Sequence, residues 1–270
     1  MNVPSARGPA RVVGSASIWL LGLVAGPKRT VSVLHSGDHA VYLDREGVCL
    51  GVLGARAVQV PCGVRTQLPQ VPEPPAGASV QVGDGTIALE DLEILVTNIV
   101  DTTVPVLSPE AARWGGGRLS GLVGDRLDTV RSALPDDALD GLGAGDPSSV
   151  GALLGLGPGL TPLGDDVLAG WLAAAVASRH PSLDDLRSTV ALSARERTTA
   201  LSATLLACAA RGEGVPEFRS MLSGVASEDT DVVQQSVSLL LEVGESSGEG
   251  LVLGAQLALQ SLPEQRTGSG

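Results

Sequence analysis

Aromatic side chains are scarce in this sequence, at 2% of its 270 residues. Proteins that bind single-stranded nucleic acid use aromatic rings as stacking platforms for the bases, and too few rings are present here to build such a surface. The hydrophobic fraction is nevertheless 43%, which is ordinary for a globular protein. We therefore expect a core built from Leu, Val and Ala.

Basic residues are also outnumbered, with 18 Lys and Arg against 30 Asp and Glu, for a formal net charge of -12. A surface with this charge repels a phosphate backbone, so we expect no nucleic-acid partner. Most of the acid excess lies in the second part of the chain. Residues 1–106 hold 9 acids and 7 bases, whereas residues 107–270 hold 21 acids and 11 bases.

Cysteine is rare too, with Cys49, Cys62 and Cys208 and no C-x-x-C spacing. This excludes a disulfide framework and a cysteine-based zinc site, and it favours buried thiols in a reducing cytoplasm. The apolar run Val12–Gly26 is interrupted by small residues and is too short to span a bilayer. We expect folded structure there, a cytoplasmic location and no membrane partner.

The fold class follows from a change in hydrophobic periodicity. Short Val-rich segments alternate with turn residues in the first third, as in Thr30–Ser36, His39–Asp44 and Val48–Leu53. From Leu107 onward, apolar residues recur at helical spacing. The sequence predicts an α+β protein, with a β-rich N-terminal domain at residues 1–106 and a multi-helix domain at residues 107–270. The longest predicted helices are Leu119–Leu134, Asp165–Ser178, Ser182–Leu192, Arg197–Arg211, Val215–Val225, Thr230–Val243 and Ser247–Leu262.

The stretch GLGPGLTPLGDD, at Gly155–Asp166, stands directly before an apolar helix. Glycine lets the backbone approach a ligand closely and proline fixes the shape of a loop in advance. We predict that Gly157, Gly159, Gly164 and the hydroxyl of Thr161 bind a ligand. The alternative is a rigid loop that ends in an N-capping aspartate.

Two adjacent carboxylates, Asp165 and Asp166, fall in the first turn of that helix. We predict a catalytic role for this pair, with Mg²⁺ as the one cofactor considered. Beside an anion their charges need compensation, and three arrangements provide it. A divalent cation bridges carboxylate and ligand, or one carboxylate turns inward to hold the loop, or Arg195 or Arg197 neutralises the pair. We favour the inward arrangement for one aspartate and a ligand or metal role for the other, because successive helical residues point about 100° apart.

Two further predicted helix starts carry small hydroxyl residues. A helix N-terminus presents unpaired N–H groups and attracts anions, so three such starts in one domain predict a shared cleft for a small anionic metabolite. The residues expected there, besides the glycine-rich loop, are Thr198, Thr199, Ser202, Ser246, Ser247 and Gly248.

The motif Gly157–Asp166, followed by Leu168 and Gly170, resembles the signature of the AllH-type family. Thr198, Thr199 and Ser202, and the late Ser246-Ser247-Gly248, are similar to further motifs of that family. The resemblance covers mainly Val150–Gly254. Its departures are Leu163, where the family usually has Ser or Thr, and Gly250, where an aspartate is common.

This family is associated with the oxamate carbamoyltransferase of allantoin catabolism. The resemblance implies a subunit of purine nitrogen metabolism that acts beside hetero-oligomeric partner subunits and handles an anionic carbamoyl or phosphoryl compound. Two alternatives stay open from the residues alone. One is a non-catalytic ligand-binding or scaffold subunit, and the other is a stand-alone Mg²⁺-dependent hydrolase.

Overall fold

The computed structural model describes residues 9–263, apart from the side chain of Asp125. The chain divides into two compact units, one ending at Asp101 and the other beginning at Thr102. The first is a β-barrel and the second is helical, so the predicted α+β class is confirmed.

The first unit is a closed barrel of eight strands in the order β1-β5-β4-β3-β2-β6-β7-β8. The pairs β1–β8 and β4–β5 are parallel, and the other neighbours are antiparallel. The strands are β1 (Ala10–Ala16), β2 (Arg29–Gly37), β3 (Ala40–Arg45), β4 (Val48–Leu53), β5 (Gly63–Arg65), β6 (Ser79–Gly83), β7 (Thr86–Leu89) and β8 (Leu92–Ile99).

The barrel forms because its strands alternate between core and outer positions. In β3, Val41 and Leu43 belong to the core, and in β4 Leu50 and Val52 do. The β3–β4 connection consists of two residues at positive φ, 57° and 78°. This is the geometry of a tight hairpin whose twist matches that of its strands, and it lies between the predicted segments His39–Asp44 and Val48–Leu53.

The apolar run Val12–Gly26 is folded, as expected, and contributes β1 and the helix α1 (Ile18–Ala25). Leu20 and Val24 of α1 pack into the barrel core. The sequence did not indicate the helix, because a short continuous apolar run shows no periodicity. No helix among residues 9–263 combines the length and the apolar character needed to cross a bilayer.

The second unit contains ten α-helices among its described residues. Most predicted helices are confirmed within a few residues, but the one expected at Leu119–Leu134 is interrupted after Val123 by a short 3-10 segment. The helices are α2 (Pro109–Val123), α3 (Asp128–Ser132), α4 (Asp136–Gly143), α5 (Val150–Leu153), α6 (Leu163–Ser178), α7 (Leu183–Arg197), α8 (Ala200–Ala210), α9 (Pro216–Ala226), α10 (Thr230–Leu240) and α11 (Ser247–Gln260).

The helix α6 is buried along nearly its whole length and packs against α11. Glycines allow the close contact: a Cβ atom at Gly170 would lie 2.1 Å from the carbonyl oxygen of Leu251, and one at Gly254 would lie 2.0 Å from that of Val167. At the N-terminal end, Gly250 contacts Asp166 in the same way. The two helices therefore run parallel, and their first turns lie side by side.

Candidate functional site

Hydrogen bonds join the three segments that the sequence analysis singled out. The hydroxyl oxygens of Thr161 and Ser247 lie 2.9 Å apart, which connects the glycine-rich loop to the start of α11. The hydroxyl of Thr199 donates to the carbonyl of Leu160 at 2.5 Å, which connects that loop to the start of α8. The three segments therefore lie together, whereas a shared cleft and ligand binding at these residues stay predictions.

Asp165 is held in the interior of this cluster, with 1% of its surface exposed. One carboxylate oxygen accepts the backbone N–H of Gly155 at 2.7 Å. The other accepts the hydroxyl of Ser202 at 2.7 Å and the hydroxyl of Thr198. This is the inward arrangement favoured above. Asp165 therefore ties the first residue of the loop to Thr198 and Ser202 around the start of α8, whereas a catalytic role for it stays a prediction.

Asp166 is also buried, with 6% of its surface exposed, but it has fewer partners. Its Oδ2 atom contacts no hydrogen-bond partner within the described residues. Burial raises the pKa of Asp166 to about 7, a side-chain hydrogen bond from Ser247 opposes the rise, and the charge of Asp165 adds to it. A buried carboxyl group whose pKa lies near neutral pH is typical of sites that handle protons.

Arginines do not neutralise the pair. The guanidinium of Arg197 donates to the carbonyl oxygen of Gly151 at 2.7 Å. Throughout residues 9–263, no ion pair includes Asp165 or Asp166. Three hydrogen-bond donors contact the carboxyl group of Asp165 instead.

The two carboxyl groups differ in the oxygens that they leave without a hydrogen-bond partner. Both oxygens of Asp165 already accept hydrogen bonds, so the two residues do not present paired free carboxylates to an ion. Across the described chain, no group of three or more His, Cys, Asp or Glu side chains could hold a metal. Mg²⁺ binding by this pair therefore stays a prediction.

The glycines of the loop serve different purposes. Gly155 and Gly157 have positive φ, 78° and 117°, and a Cβ atom at either would clash with the backbone of α7 or α6. A Cβ atom at Gly164 would lie 2.0 Å from the carbonyl oxygen of Leu153, the last residue of α5. Gly159 has a φ of 93°, and a Cβ atom added there would have no neighbouring atom within 4 Å. Of the predicted glycines, Gly159 is therefore the one whose surroundings leave room for a ligand.

Each of the three helix starts uses a backbone N–H internally. In α6, the N–H of Gly164 donates to the carbonyl of Leu156 at 2.9 Å. In α8, the N–H of Ser202 donates to its N-cap Thr199 at 3.0 Å. In α11, the N–H of Gly248 donates to the carbonyl of Val243 at 2.9 Å. These three donors are not available to an anion, so side-chain hydroxyls are better placed to contact a ligand.

The two departures from the family pattern lie next to each other. A Cβ atom at Gly250 would lie 2.8 Å from Cβ of Asp166 and 3.2 Å from Cδ1 of Leu163. An aspartate at position 250 therefore has no room. Leu163 and Gly250 form an apolar contact beside Asp166, and this contact contributes to the burial of its carboxyl group.

Sequence reasoning missed three participants: the N–H of Gly155, the carbonyl of Leu160 and the close approach at Gly250. Gly155 and Leu160 lie inside the glycine-rich motif, so the motif indicated the segment to which they belong. Ser246, which was predicted to bind ligand, is the N-cap of α11, and its side chain accepts no capping hydrogen bond.

Comparison with known proteins finds a family model that matches this region. Residues 153–259 match the model of a family described as oxamate carbamoyltransferase subunit AllH. The match begins at the end of α5, ends within α11 and includes every residue of the site. It confirms the resemblance seen in the motif, and the family is that of a carbamoyltransferase-associated subunit. Searches of curated proteins and of solved structures find no significant match.

Proposed function

We propose that this chain is a subunit of a carbamoyltransferase of the oxamate carbamoyltransferase type, and that the cluster around Asp166 binds its small carbamoyl-bearing ligand. One observation carries the proposal: the loop and the starts of α8 and α11 meet at a pair of buried carboxyl groups, within the region that matches the AllH family.

The chemistry of the cluster fits such a ligand. Carbamoyl and phosphoryl groups offer oxygen atoms that accept hydrogen bonds, and the half-buried hydroxyls of Thr161 and Ser247 can donate them. Transfer of a carbamoyl group requires mainly positioning and stabilisation of developing negative charge. Asp165 holds the loop that carries Thr161 in place, which provides the positioning.

An anionic ligand also requires that the site limit its own negative charge. Both oxygens of the Asp165 carboxyl group already accept hydrogen bonds from the protein, so they do not face a ligand unpaired. Asp166, with a pKa of about 7, takes up a proton when an anion approaches. A protonated Asp166 adds no negative charge to the site.

The test is reconstitution of the transferase. The tagged full chain is recovered from its native host with its bound partners, and transfer between carbamoyl phosphate and oxamate is measured. We expect activity in the assembly, loss of activity when this chain is omitted, and loss in the Ser247→Ala variant. Ser238→Ala is the matched control, because Ser238 is an exposed helical serine in α10. Full activity without the chain, or recovery of the chain without partners, contradicts the proposal.

The alternative is a non-catalytic scaffold subunit, and one observation favours it: donors at all three helix starts are used for internal hydrogen bonds. The same experiment separates the two functions. A scaffold subunit is required for assembly, but its Ser247→Ala variant supports full transfer activity.

A further inference from the structure

We infer that His180, Ser182 and Ser261 form a pH-sensitive clasp, which ties the end of α11 to the turn between α6 and α7 while the imidazole is neutral and releases it in acid. The clasp lies at the opposite end of α6 from Asp165 and Asp166, so the inference does not depend on the proposed function. It concerns how the ends of the α6–α11 pair are held together.

The clasp connects the ends of three helices. His180 follows the C-cap of α6, Ser182 is the N-cap of α7, and Ser261 is the C-cap of α11. The backbone N–H of Ser182 donates to Nδ1 of His180 at 3.1 Å. Nε2 of the same ring lies 3.0 Å from the hydroxyl oxygen of Ser261. Both ring nitrogens are therefore engaged, one within the turn and the other with α11.

These contacts assign the position of the ring proton. An N–H group can donate to Nδ1 only when that nitrogen carries no proton, so the proton of the neutral ring is on Nε2. The N–H of Nε2 then donates to Ser261, whose own hydroxyl donates to the carbonyl oxygen of Leu257 at 3.0 Å. Each proton of this network has an acceptor, which is the arrangement that a neutral imidazole requires.

A second proton on His180 has no place in this arrangement. It would be added at Nδ1 and would point toward the N–H of Ser182, so a hydrogen bond would become a repulsive contact. The ring has 5% of its residue surface exposed and is packed on two further sides. The rings of Trp171 and His180 are 5.0 Å apart in an edge contact, and a Cβ atom at Gly145 would lie 3.4 Å from Cε1 of His180. A charged ring must therefore leave its position to reach an acceptor.

The charges around the clasp do not favour a protonated ring. The charged residues next to it on the elements that pack against it are all exposed, and they are Asp140, Asp146, Arg179, Asp184 and Asp185. The last three turns of α11 carry no charged residue. Within residues 9–263, no ion pair includes His180. Burial therefore lowers the pKa of His180 below its usual range, with no opposite charge to offset it.

The folded and unfolded chains take up this proton at different pH. In the unfolded chain the pKa of a histidine is about 6.5, whereas the pKa of the buried ring is lower. The stability that the neutral ring contributes is therefore complete above about 6.5, and it is lost as pH falls below this value through the folded-state pKa. The end of α11 should open more readily in acid.

The first experiment determines the tautomer of His180 by nitrogen NMR of the full chain. The chain has three histidines, and the ring of His180 is identified by magnetisation transfer to the ring of Trp171. At about pH 8 we expect the proton on Nε2 and none on Nδ1. A proton on Nδ1, or an even mixture of the two tautomers, overturns the clasp, because the hydrogen bond from Ser182 would then be absent.

The second experiment measures hydrogen exchange at the backbone N–H groups of Ser182 and Ser261. In the wild type, protection corrected for the intrinsic exchange rate should fall by up to about tenfold for each pH unit below about 6.5. His180→Asn keeps an acceptor near the position of Nδ1 that does not titrate, so its protection should stay constant across this range. The matched control is His35→Asn, in β2 of the barrel unit, which should follow the wild type.

Ser261→Ala provides a second variant, which breaks the tie to α11 and leaves His180 and Ser182 in place. Its N–H at position 261 should already have low protection at about pH 8, close to the value that the wild type reaches in acid, whereas Ser182 should keep its pH dependence. Constant protection in the wild type, or the same pH dependence in wild type and His180→Asn, overturns the clasp. Wild-type protection at position 261 in Ser261→Ala overturns it as well.

Discussion

The barrel unit and the helical unit build their cores in opposite ways. In the barrel, alternating Val, Leu and Ile side chains fill the interior, with Ile87 and Ile94 completely buried. In the helical unit, the central contact between α6 and α11 depends on missing side chains, at Gly170, Gly250 and Gly254. The barrel is stabilised by apolar area, and the helix pair by close approach of backbones.

The buried carboxyl groups follow the same division between the two units. Within residues 9–263, the buried carboxyl groups are Asp165, Asp166 and Glu213, all in the helical unit. Close packing of α6 on α11 places Asp166 beside Ser247 and brings Thr161 of the loop to the same point. Glycine packing therefore does more than stabilise the unit, because it also assembles the polar cluster.

The largest effect is expected from adding one methyl group to the helix pair. In Gly170→Ala, Cβ would lie 2.1 Å from the carbonyl oxygen of Leu251, so α6 and α11 must separate. We expect a loss of about 3 kcal/mol or more in the free energy of unfolding, measured by chemical denaturation. The matched control is Gly121→Ala, a helical glycine with nothing within 4 Å, which should be neutral or gain up to about 1 kcal/mol. Equal effects at both positions would contradict the role of close packing.

Removal of Asp165 should be nearly as damaging. In Asp165→Ala, the N–H of Gly155 and two hydroxyls lose their acceptor in a buried setting. Each unsatisfied buried group costs about 1–3 kcal/mol, so we expect a loss of about 3 kcal/mol in stability, measured by urea unfolding. Asp165→Asn keeps one carbonyl oxygen and should lose less. A wild-type melting curve for Asp165→Ala would show that the residue does not hold the loop.

Asp166→Asn should raise the free energy of unfolding, whereas the two preceding substitutions lower it. The folded-state pKa of Asp166 is raised from 3.8 to about 7, so the folded state binds more protons than the unfolded state between these values. Wild-type stability from this group therefore falls as pH rises from about 4 to 7, and above 7 a buried charge is present. We expect Asp166→Asn to gain stability, with a gain at pH 8 about 2 kcal/mol larger than at pH 5. Thermal melts across this range provide the measurement, and a pH-independent difference would contradict the raised pKa.

The smallest effect is expected in the barrel, where one methyl group is removed instead of added. Ile87→Val leaves a small space in a fully buried position and should cost about 1 kcal/mol, measured by urea unfolding. A loss as large as that of Gly170→Ala would remove the contrast between the two cores.

Much of the fold could be read from the sequence, and the exceptions have physical causes. Alternation in His39–Asp44 indicated a strand because every second residue of β3 is buried. Helical spacing in Leu119–Leu134 suggested one helix, but the chain turns at Gly124, where φ is 38°. The spacing of apolar residues does not reveal such a turn. Closure of the barrel was also not foreseen, since pairing between β1 and β8 joins residues that are far apart in sequence.

The candidate site shows the same division. The motif located the loop, the carboxylate pair and the hydroxyl residues, because glycine, proline and acids at a helix start are unusual together. It did not separate the glycines that pack from Gly159, which faces open space. It also suggested helix N-termini as anion sites, whereas the N–H groups of Gly164 and Gly248 bond to nearby carbonyls.

The sequence alone determined that two carboxylates stand at the start of a buried helix and that one of them was suited to an inward position. Only the tertiary structure decided which. Asp165 and Asp166 are chemically identical neighbours, and they differ because a helix turns them about 100° apart. One meets Ser202, 37 residues away, and its two carboxyl oxygens accept three hydrogen bonds. The other lies beside Gly250 of α11, and burial raises its pKa to about 7.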